Sequence, residues 1–311
     1  MAQENKKGTR KTVWILILIL LLLLLISAAV LFFLLNKSDE FHPSDFHKTE
    51  TLVPPSGSAS TDTTAPTAET EGQESSDNVF PTIHGSLEFP PFPENSTGDF
   101  QDHPLAENPI DFMTLQEVNE DAYAWLYIPM GKAEWNVDLP ILHPRLLDDD
   151  NFYLHHNIYR KYEYTGCLYT QKCNNRDFSD PVTVIYGHNM YDDRTDMFSK
   201  LTNFQDADFF REHEFFYIYT PGHILTYRIA AAIRFDNRHI LNSFDFTDET
   251  VFQNWITNYI LNPKTTIKNV REDLEITTED KIVILSTCLG RNMSDYRYLV
   301  QGVLISDEPT K

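Results

Sequence analysis

The chain contains 311 residues, of which 13% are aromatic and three are cysteines, and its formal net charge is −21. This length predicts one or two domains. The acidity argues against a nucleic-acid-binding protein, which would need a basic surface, and three cysteines are too few for a disulfide-stapled scaffold.

The first segment with a clear pattern is an apolar stretch over residues 13–35, which follows a short basic N-terminus of residues 1–12. As a helix, the stretch would span roughly 35 Å, which is enough to cross a bilayer. Because basic residues precede it, the positive-inside rule predicts a cytoplasmic N-terminus and an extracytoplasmic remainder. The alternative is a cleaved signal peptide, but the apolar run continues beyond Ser27, Ala28 and Ala29, the candidate cleavage site. We therefore predict a retained transmembrane helix.

Residues 36–107 differ in composition from what precedes and follows them. They are rich in Ser, Thr, Pro and acidic residues and contain few side chains that could be buried. Such a segment cannot offset the entropy cost of ordering, so the sequence predicts a flexible tether.

Residues 108–311 carry the patterns of a folded domain. Phe112, Leu115 and Val118 share one face of a predicted helix, and a second helix is predicted over DMFSKLTNF. The strongest helical pattern is TDETVFQNWITNYIL, which Thr247 can cap. The other elements are short β-type runs bounded by turn residues, among them YTGCLYT, PVTVIYGHN, EFFYIYT, HILTYRIAAAIRF, KIVILSTC and YRYLVQGVLI, and TPG is a predicted hairpin turn. The pattern predicts a β-rich barrel or sandwich with several helices packed on it.

A cysteine stands at the end of one predicted strand. Residues 281–285 read as a buried strand, and Ser286, Thr287 and Cys288 bring it to an end. A cysteine in this position can be exposed on one side and fixed on the other, as a nucleophile requires. The alternative is a buried, unreactive cysteine.

A thiol nucleophile needs a neighbouring base or cation, because its usual pKa of about 8.5 leaves only a few per cent of thiolate at neutral pH. His188 is the best candidate among the histidines, since it follows the β-type run of residues 182–186 and precedes a polar loop. His155 and His156 are its main rivals, and the alternative for both is a place in a surface or partly buried loop.

Arg297 begins the predicted strand after Cys288. If that strand pairs antiparallel with residues 281–285, Arg297 returns to the same end of the sheet as Cys288. A guanidinium group stays charged and donates several hydrogen bonds, so it can hold a developing oxyanion or a substrate carbonyl. The alternative is an ordinary surface arginine.

These motifs resemble those of a known enzyme family. YGHNM around His188, LSTC ending at Cys288 and YRYLV around Arg297 are similar to the three active-site motifs of sortases, the membrane-anchored cysteine transpeptidases of Gram-positive bacteria. DMFSKLTNFQDADFFREH resembles the stretch after the histidine in class B sortases, which also carry a long helix before the cysteine-bearing strand, where TDETVFQNWITNYIL lies. The resemblance covers about residues 108–306.

The resemblance implies a mainly β fold, a closed β-barrel with N-terminal helices and a long helix before the cysteine-bearing strand. It implies that Cys288 attacks the carbonyl of a threonine in a C-terminal sorting signal and forms a thioacyl-enzyme. His188 would serve as the acid and base, and Arg297 would stabilise the oxyanion. Ser286, Thr287 and Tyr186 would line the substrate groove. No cofactor and no metal is required by this chemistry.

The partners implied are surface proteins with a C-terminal sorting signal and the amine of a lipid-linked peptidoglycan precursor. The implied location is the cell membrane, in a single-pass type II topology with the catalytic domain outside. One alternative is a pilin-polymerising sortase, whose nucleophile is a pilin lysine. Another is an inactive, tethered binding module that kept the fold, although the presence of all three motif residues argues against it.

Two cysteines and an acidic loop have no part in this scheme. Cys167 and Cys173 lie outside the predicted membrane segment, so they are either separate thiols or a disulfide, whereas two cysteines do not make a zinc site. Asp148, Asp149 and Asp150 could bind calcium, but a solvated loop is the simpler interpretation.

Overall fold

The computed structural model describes residues 14, 19–20, 22–27, 41–48, 105–191, 194–290 and 295–311. The chain divides into two compact units, Met1–His42 and Pro43–Lys311. In the first unit, residues 14, 19–20 and 22–27 are helical. Among the described residues, no helix has the length and apolar character needed to cross a membrane. Most of the predicted transmembrane helix over residues 13–35, and most of the tether over residues 36–107, lie outside the described residues.

The second unit is built around one β-sheet, which has nine strands within the described part of the chain. Eight of them follow each other in the order β5-β1-β2-β3-β4-β8-β9-β6, and β5 also pairs with β6, so the sheet closes into a barrel, while β7 adds to the edge of β6. The pairs β2–β3 and β4–β8 are parallel, and the other neighbours are antiparallel. The predicted closed β-barrel is thus confirmed. The strands are β1 (Ala122–Ile128), β2 (Val137–Leu142), β3 (Leu168–Tyr169), β4 (Val182–Tyr186), β5 (Phe215–Thr220), β6 (His223–Asp236), β7 (Lys268–Val270), β8 (Ile282–Cys288) and β9 (Tyr296–Pro309).

Short helices join these strands: α1 (Phe112–Val118), α2 (Ala207–Glu212), α3 (Ile240–Ser243) and α4 (Glu249–Trp255). The predicted long helix before β8 is α4, which continues as a π-helix over Ile256–Leu261. It is capped by Asp248 rather than by Thr247, because the Asp248 carboxylate accepts hydrogen bonds from the backbone N–H groups of Thr250 and Val251. The helix predicted over DMFSKLTNF is a 3-10 helix, Ser199–Gln205, and other 3-10 turns are Pro43–Phe46, Ala133–Trp135 and Phe152–Leu154.

Successive side chains along each strand point to opposite faces of the sheet, and a separate hydrophobic core lies on each face. On β8, Val283 and Leu285 point into the barrel, where side chains from most of the strands meet. Ile282 and Ile284 point outward and pack in a second core with α4, which contributes Trp255. We call the two sides of the sheet the inner face and the outer face.

A short segment of the predicted tether packs onto the barrel. Phe46 is only 4% exposed, and its ring centroid lies 6.2 Å from that of Trp125 on β1. Beside it, the Nε2 atom of His47 lies 3.1 Å from Oδ1 of Asp138 on β2. We call residues 43–48 the docked segment.

The backbone of the docked segment is also paired. The N–H of Lys48 donates to the carbonyl of Pro109 at 2.7 Å, and the N–H of Asp111 donates to the carbonyl of Phe46 at 2.8 Å. The prediction of a flexible tether over residues 36–107 is therefore wrong for these six residues. The reason is the single buried aromatic ring, which provides apolar burial that the composition of the whole segment conceals.

Candidate active site

The predicted catalytic residues lie side by side at the ends of adjacent strands. Strand β4 runs parallel to β8 with Tyr186 opposite Ser286, so His188, two residues further on, is level with Cys288. Strand β9 runs antiparallel to β8, and Arg297 is the Cα partner of Cys288. Neighbouring strands are about 4.8 Å apart. The register therefore brings the imidazole, thiol and guanidinium residues into one row across the sheet.

Cys288 is half-buried at the last position of β8. By alternation it belongs to the outer face, together with Ile284. The side-chain amide of Asn189 donates to its carbonyl oxygen at 3.0 Å. These contacts fix the backbone of the cysteine while leaving one side of the residue accessible.

Tyr191 also belongs to the site. It makes a side-chain hydrogen bond with Cys288, and burial, then the interaction with Cys288, raises the pKa of Tyr191 to about 12. Its φ of 60° lies in the left-handed region, which is uncommon for a residue other than glycine. Neither Asn189 nor Tyr191 was predicted as a site residue, although both lie within three residues of His188.

The His188 ring is oriented by a backbone carbonyl. Its Nε2 atom lies 3.0 Å from the oxygen of Leu154. Because a carbonyl can only accept, Nε2 carries the proton, and Nδ1 is the acceptor in the neutral ring. Burial, and then the charge of His155, lowers the pKa of His188, while the bond to Leu154 opposes this effect. The site therefore favours neutral imidazole.

Arg297 is half-exposed, and its Nη1 atom donates to the carbonyl of Tyr296 at 3.3 Å. Its positive charge acts electrostatically on the phenol groups of Tyr186 and Tyr191. Burial raises the pKa of Tyr186 and of Tyr191, and Arg297 partly opposes the rise in both. The guanidinium thus lies among the polar groups around Cys288.

The predicted groove residues occupy different faces. Tyr186 and Ser286 are Cα partners on the outer face, as Cys288 is, and the Tyr186 ring stacks on Tyr169 at 5.5 Å. Thr287 is 2% exposed and belongs to the inner face, opposite Tyr298. Burial does not favour a substrate contact for Thr287 or for Ser286, which is 4% exposed, whereas the half-buried Tyr186 remains on the face of the nucleophile.

The two rival histidines are separated by the fold. His155 lies next to His188, with 5.2 Å between the ring centroids. His156 instead stacks on Phe152 at 3.8 Å, and its Nδ1 atom lies 2.7 Å from the Phe152 carbonyl. His155, an alternative to His188 by sequence, is thus a neighbour of His188 in the structure.

The other two cysteines are free thiols. Cys167 is buried, and burial raises the pKa of its thiol, whereas Cys173 is exposed. Within the described ranges, no group of three or more His, Cys, Asp or Glu residues is placed to hold a metal ion.

Comparison with known proteins shows that the chain is similar to sortases B. No protein-family model matches the chain. Sortase B of Listeria monocytogenes is 29% identical over 195 residues, which cover 62% of this chain and 73% of the relative.

Solved structures show the same fold. A mutant sortase B of Clostridium perfringens is 22% identical, has a TM-score of 0.54, and the match covers 63% of this chain and 87% of that one. The sortase B–substrate complex of Staphylococcus aureus is 20% identical, also has a TM-score of 0.54, and the match covers 65% of this chain and 87% of that one. The resemblance to class B sortases, drawn from the sequence motifs, is confirmed by these relatives.

Proposed function

We propose that this chain, a class B-type sortase by its relatives and fold, cleaves a C-terminal sorting signal after threonine and transfers the protein to the amine of a lipid-linked peptidoglycan precursor. The observation that carries the proposal is the row formed by His188, Cys288 and Arg297 across β4, β8 and β9. These are the three groups that acyl transfer through a thioester needs: a nucleophile, an acid–base group and an oxyanion donor.

The first half of the reaction makes a thioester. Neutral His188 takes the thiol proton of Cys288 at Nδ1, and the sulfur attacks the threonine carbonyl carbon. The oxyanion that forms is held by the Arg297 guanidinium. The C–N bond then breaks, and protonated His188 gives its Nδ1 proton to the leaving amine. Sulfur is left bonded to the acyl carbon.

The second half reverses these roles. An incoming amine loses a proton to Nδ1 of His188 and attacks the thioester carbon. A new C–N bond forms, the C–S bond breaks, and the thiolate returns. The bond from Nε2 to Leu154 keeps Nδ1 available in both halves.

The substrate would lie along the outer face. The half-buried Tyr186, at the end of β4, would flank the approach to Cys288 there, and the buried Ser286 precedes the nucleophile on β8. The related Staphylococcus aureus sortase B has been solved as a complex with substrate, which supports a substrate groove in the same fold.

The proposed location is the outer surface of the cell membrane, with the apolar stretch of residues 13–35 as a type II anchor. A lipid-linked acceptor is confined to the same surface. Anchoring the enzyme there would raise the effective concentration of the acceptor without any new contact.

The test is a cleavage and ligation assay. The chain would be incubated with a panel of quenched sorting-signal peptides, alone, with a peptidoglycan-type amine, or with a lysine-bearing peptide, and products identified by mass. We expect cleavage after threonine, amine-dependent ligation, and no product with Cys288→Ala. Cys173→Ala, which removes an exposed thiol elsewhere, is the matched control and should behave as wild type.

Two outcomes would change the proposal. Cleavage that survives Cys288→Ala would refute the nucleophile. Ligation to the lysine-bearing peptide but not to the peptidoglycan-type amine would favour a pilin-polymerising enzyme.

A further inference from the structure

The loop that contacts His188 is ordered by hydrogen bonds within the loop itself. We call residues 152–167 the clamp loop. Its two ends meet, because the N–H of Cys167 donates to the carbonyl of Tyr153 at 2.8 Å. Its two arms are joined where the N–H of Glu163 donates to the carbonyl of His155 at 2.9 Å. The loop therefore has a defined shape over its whole length.

A buried polar network holds the clamp loop on the barrel. The hydroxyl of Tyr153 donates to Asp121, which is 1% exposed, at 2.7 Å, and accepts from the amide of Asn119 at 2.9 Å. The guanidinium of Arg160 donates to the same Asp121 carboxylate at 3.1 Å. A buried carboxylate with this many donors resists rearrangement, because any loosening leaves a buried charge without partners.

The clamp loop presents three groups to His188. One is the carbonyl of Leu154, described above. The others are the rings of His155 and Tyr164, whose centroids lie 5.2 and 5.3 Å from that of His188. The centroids of His155 and Tyr164 are themselves 5.5 Å apart, so the three rings form a nearly equilateral cluster.

We propose that His155 is a positioning residue for the proposed acid–base group: its ring, with that of Tyr164, fixes the plane of His188, and its charge disfavours a proton on His188. This inference rests on the proposed function only for its effect on turnover. The ring geometry and the effect of the His155 charge on His188 exist in the resting protein.

The effect of this charge follows from the ring separation. Two imidazolium ions with ring centres 5.2 Å apart repel each other, so a charge on His155 disfavours a proton on His188. The pKa of His188 is lowered first by burial and next by the charge of His155. Without a charge at position 155, the pKa of His188 should therefore rise.

Other titratable and charged groups surround the pair. They are Tyr162 and Tyr164 on the clamp loop, Tyr191 three residues after His188, Cys288 at the end of β8 and Arg297 on β9. Of these, none is a second imidazole, and only Arg297 carries a fixed positive charge. Replacing His155 leaves all of them in place, so the experiment isolates one charge.

The test compares His155→Phe, which keeps a flat ring without a charge, with His155→Ala, which removes both. His155→Gln is a second uncharged variant. The matched control is His156→Phe, since His156 is adjacent in sequence but stacks on Phe152. Each would be made in the full chain, solubilised in detergent, and thermal denaturation would show that it is folded.

The first readout needs no activity. In a Cys288→Ala background, with histidine labelled by ¹³C at Cε1, NMR would follow the titration of His188, assigned by its loss in His188→Gln. We expect a higher midpoint with His155→Phe and His155→Gln and no change with His156→Phe. An unchanged midpoint in the two His155 variants would overturn the proposal, even if no peptide were cleaved by the wild type and the proposed function failed.

The second readout is the pH profile of kcat/KM for peptide cleavage. His155→Phe should move the limb that titrates with His188 to higher pH and keep the maximum within about threefold of wild type. His155→Ala should also lower the maximum about tenfold, because the ring plane is no longer held. A folded His155→Ala protein with wild-type kcat and pH profile would overturn the positioning role.

Discussion

Cys288 and Arg297 are directly paired across the antiparallel strands β8 and β9, so that their side chains leave the sheet on the same face. The chain between them is a short connection, and the pairing register is set by buried neighbours such as Leu285 opposite Val300. A one-residue slip of β9 would turn Arg297 to the inner face. The position of the guanidinium is therefore a property of the sheet rather than of the loop.

Removing the guanidinium should cost transition-state stabilisation. We expect Arg297→Ala to lower kcat/KM by about 10²–10³ and Arg297→Lys by about tenfold, because lysine keeps the charge but not the fork of donors. Arg211→Ala is the control, since Arg211 forms an exposed ion pair with Asp208 on α2. Equal loss in Arg297→Ala and Arg211→Ala, measured with one sorting-signal peptide, would contradict the role of Arg297.

The clamp loop depends on one glycine. Gly166 has a φ of 59°, and a Cβ atom there would lie 2.3 Å from the carbonyl oxygen of Leu154, the acceptor for His188. We expect Gly166→Ala to lower the free energy of unfolding by about 3 kcal/mol or more and to reduce activity.

A second glycine provides the control for Gly166. Gly222 has a φ of 94° in the β5–β6 turn, but among the described residues, apart from the glycine and its two chain neighbours, no atom lies within 4 Å of the point that a Cβ atom would occupy. Gly222→Ala should therefore show only the backbone cost of about 1 kcal/mol and keep full activity. Urea unfolding of both variants would check this, and equal destabilisation would argue against the steric contact at Gly166.

Acid should destabilise the fold through His143. This residue is 6% exposed, its Nε2 donates to the Asn174 carbonyl at 3.1 Å, and burial lowers its pKa below that of the unfolded chain. The unfolded chain therefore binds more protons, and stability falls as the pH drops below about 6.5 towards the folded pKa, with no contribution above that range. His143→Gln should flatten the dependence of unfolding free energy on pH over this window, and an unchanged slope would assign the acid sensitivity elsewhere.

The docked segment should contribute measurable stability. We expect Phe46→Ala to cost about 1–3 kcal/mol, less than a truncation in a core, because the segment can detach without opening the barrel. Met113→Ala, at a side chain that is 74% exposed, should cost almost nothing. Limited proteolysis would add a second measurement, since residues 43–48 should become cleavable in Phe46→Ala while the barrel stays intact.

The sequence predicted those parts of the site that follow directly from strands. His188 follows one β-type run, Cys288 ends a second and Arg297 begins a third. The strand pairing in the barrel places these three positions at the same edge of the sheet. The β-rich domain and the helical run before β8 were predictable because their hydrophobic periodicity is strong, whereas the closed barrel was implied only by the resemblance to sortases. The exact cap was not, since Thr247 and Asp248 are both good N-cap residues and only the hydrogen bonds distinguish them.

The sequence could not predict contacts that depend on how a loop folds back onto distant parts of the chain. His155 and Tyr164 reach His188 only because the clamp loop folds back onto this residue, and no periodic pattern in the sequence predicts that path. Tyr191 is close to His188 in sequence, but its role depends on a left-handed backbone that its residue type does not indicate. The docked segment was hidden because one phenylalanine carries it within an otherwise polar stretch.

The docked segment also determines how far the chain can extend between Pro43 and the barrel. Because the N–H of Lys48 donates to the carbonyl of Pro109, two positions that are far apart in the sequence are held together on the barrel. While Phe46 stays in place, the number of residues between Lys48 and Pro109 therefore adds nothing to the distance between Pro43 and the barrel. A force applied at Pro43 acts on the buried Phe46 ring and a few hydrogen bonds. Only if these contacts break could the residues between Lys48 and Pro109 extend, by up to about 3.4 Å per residue.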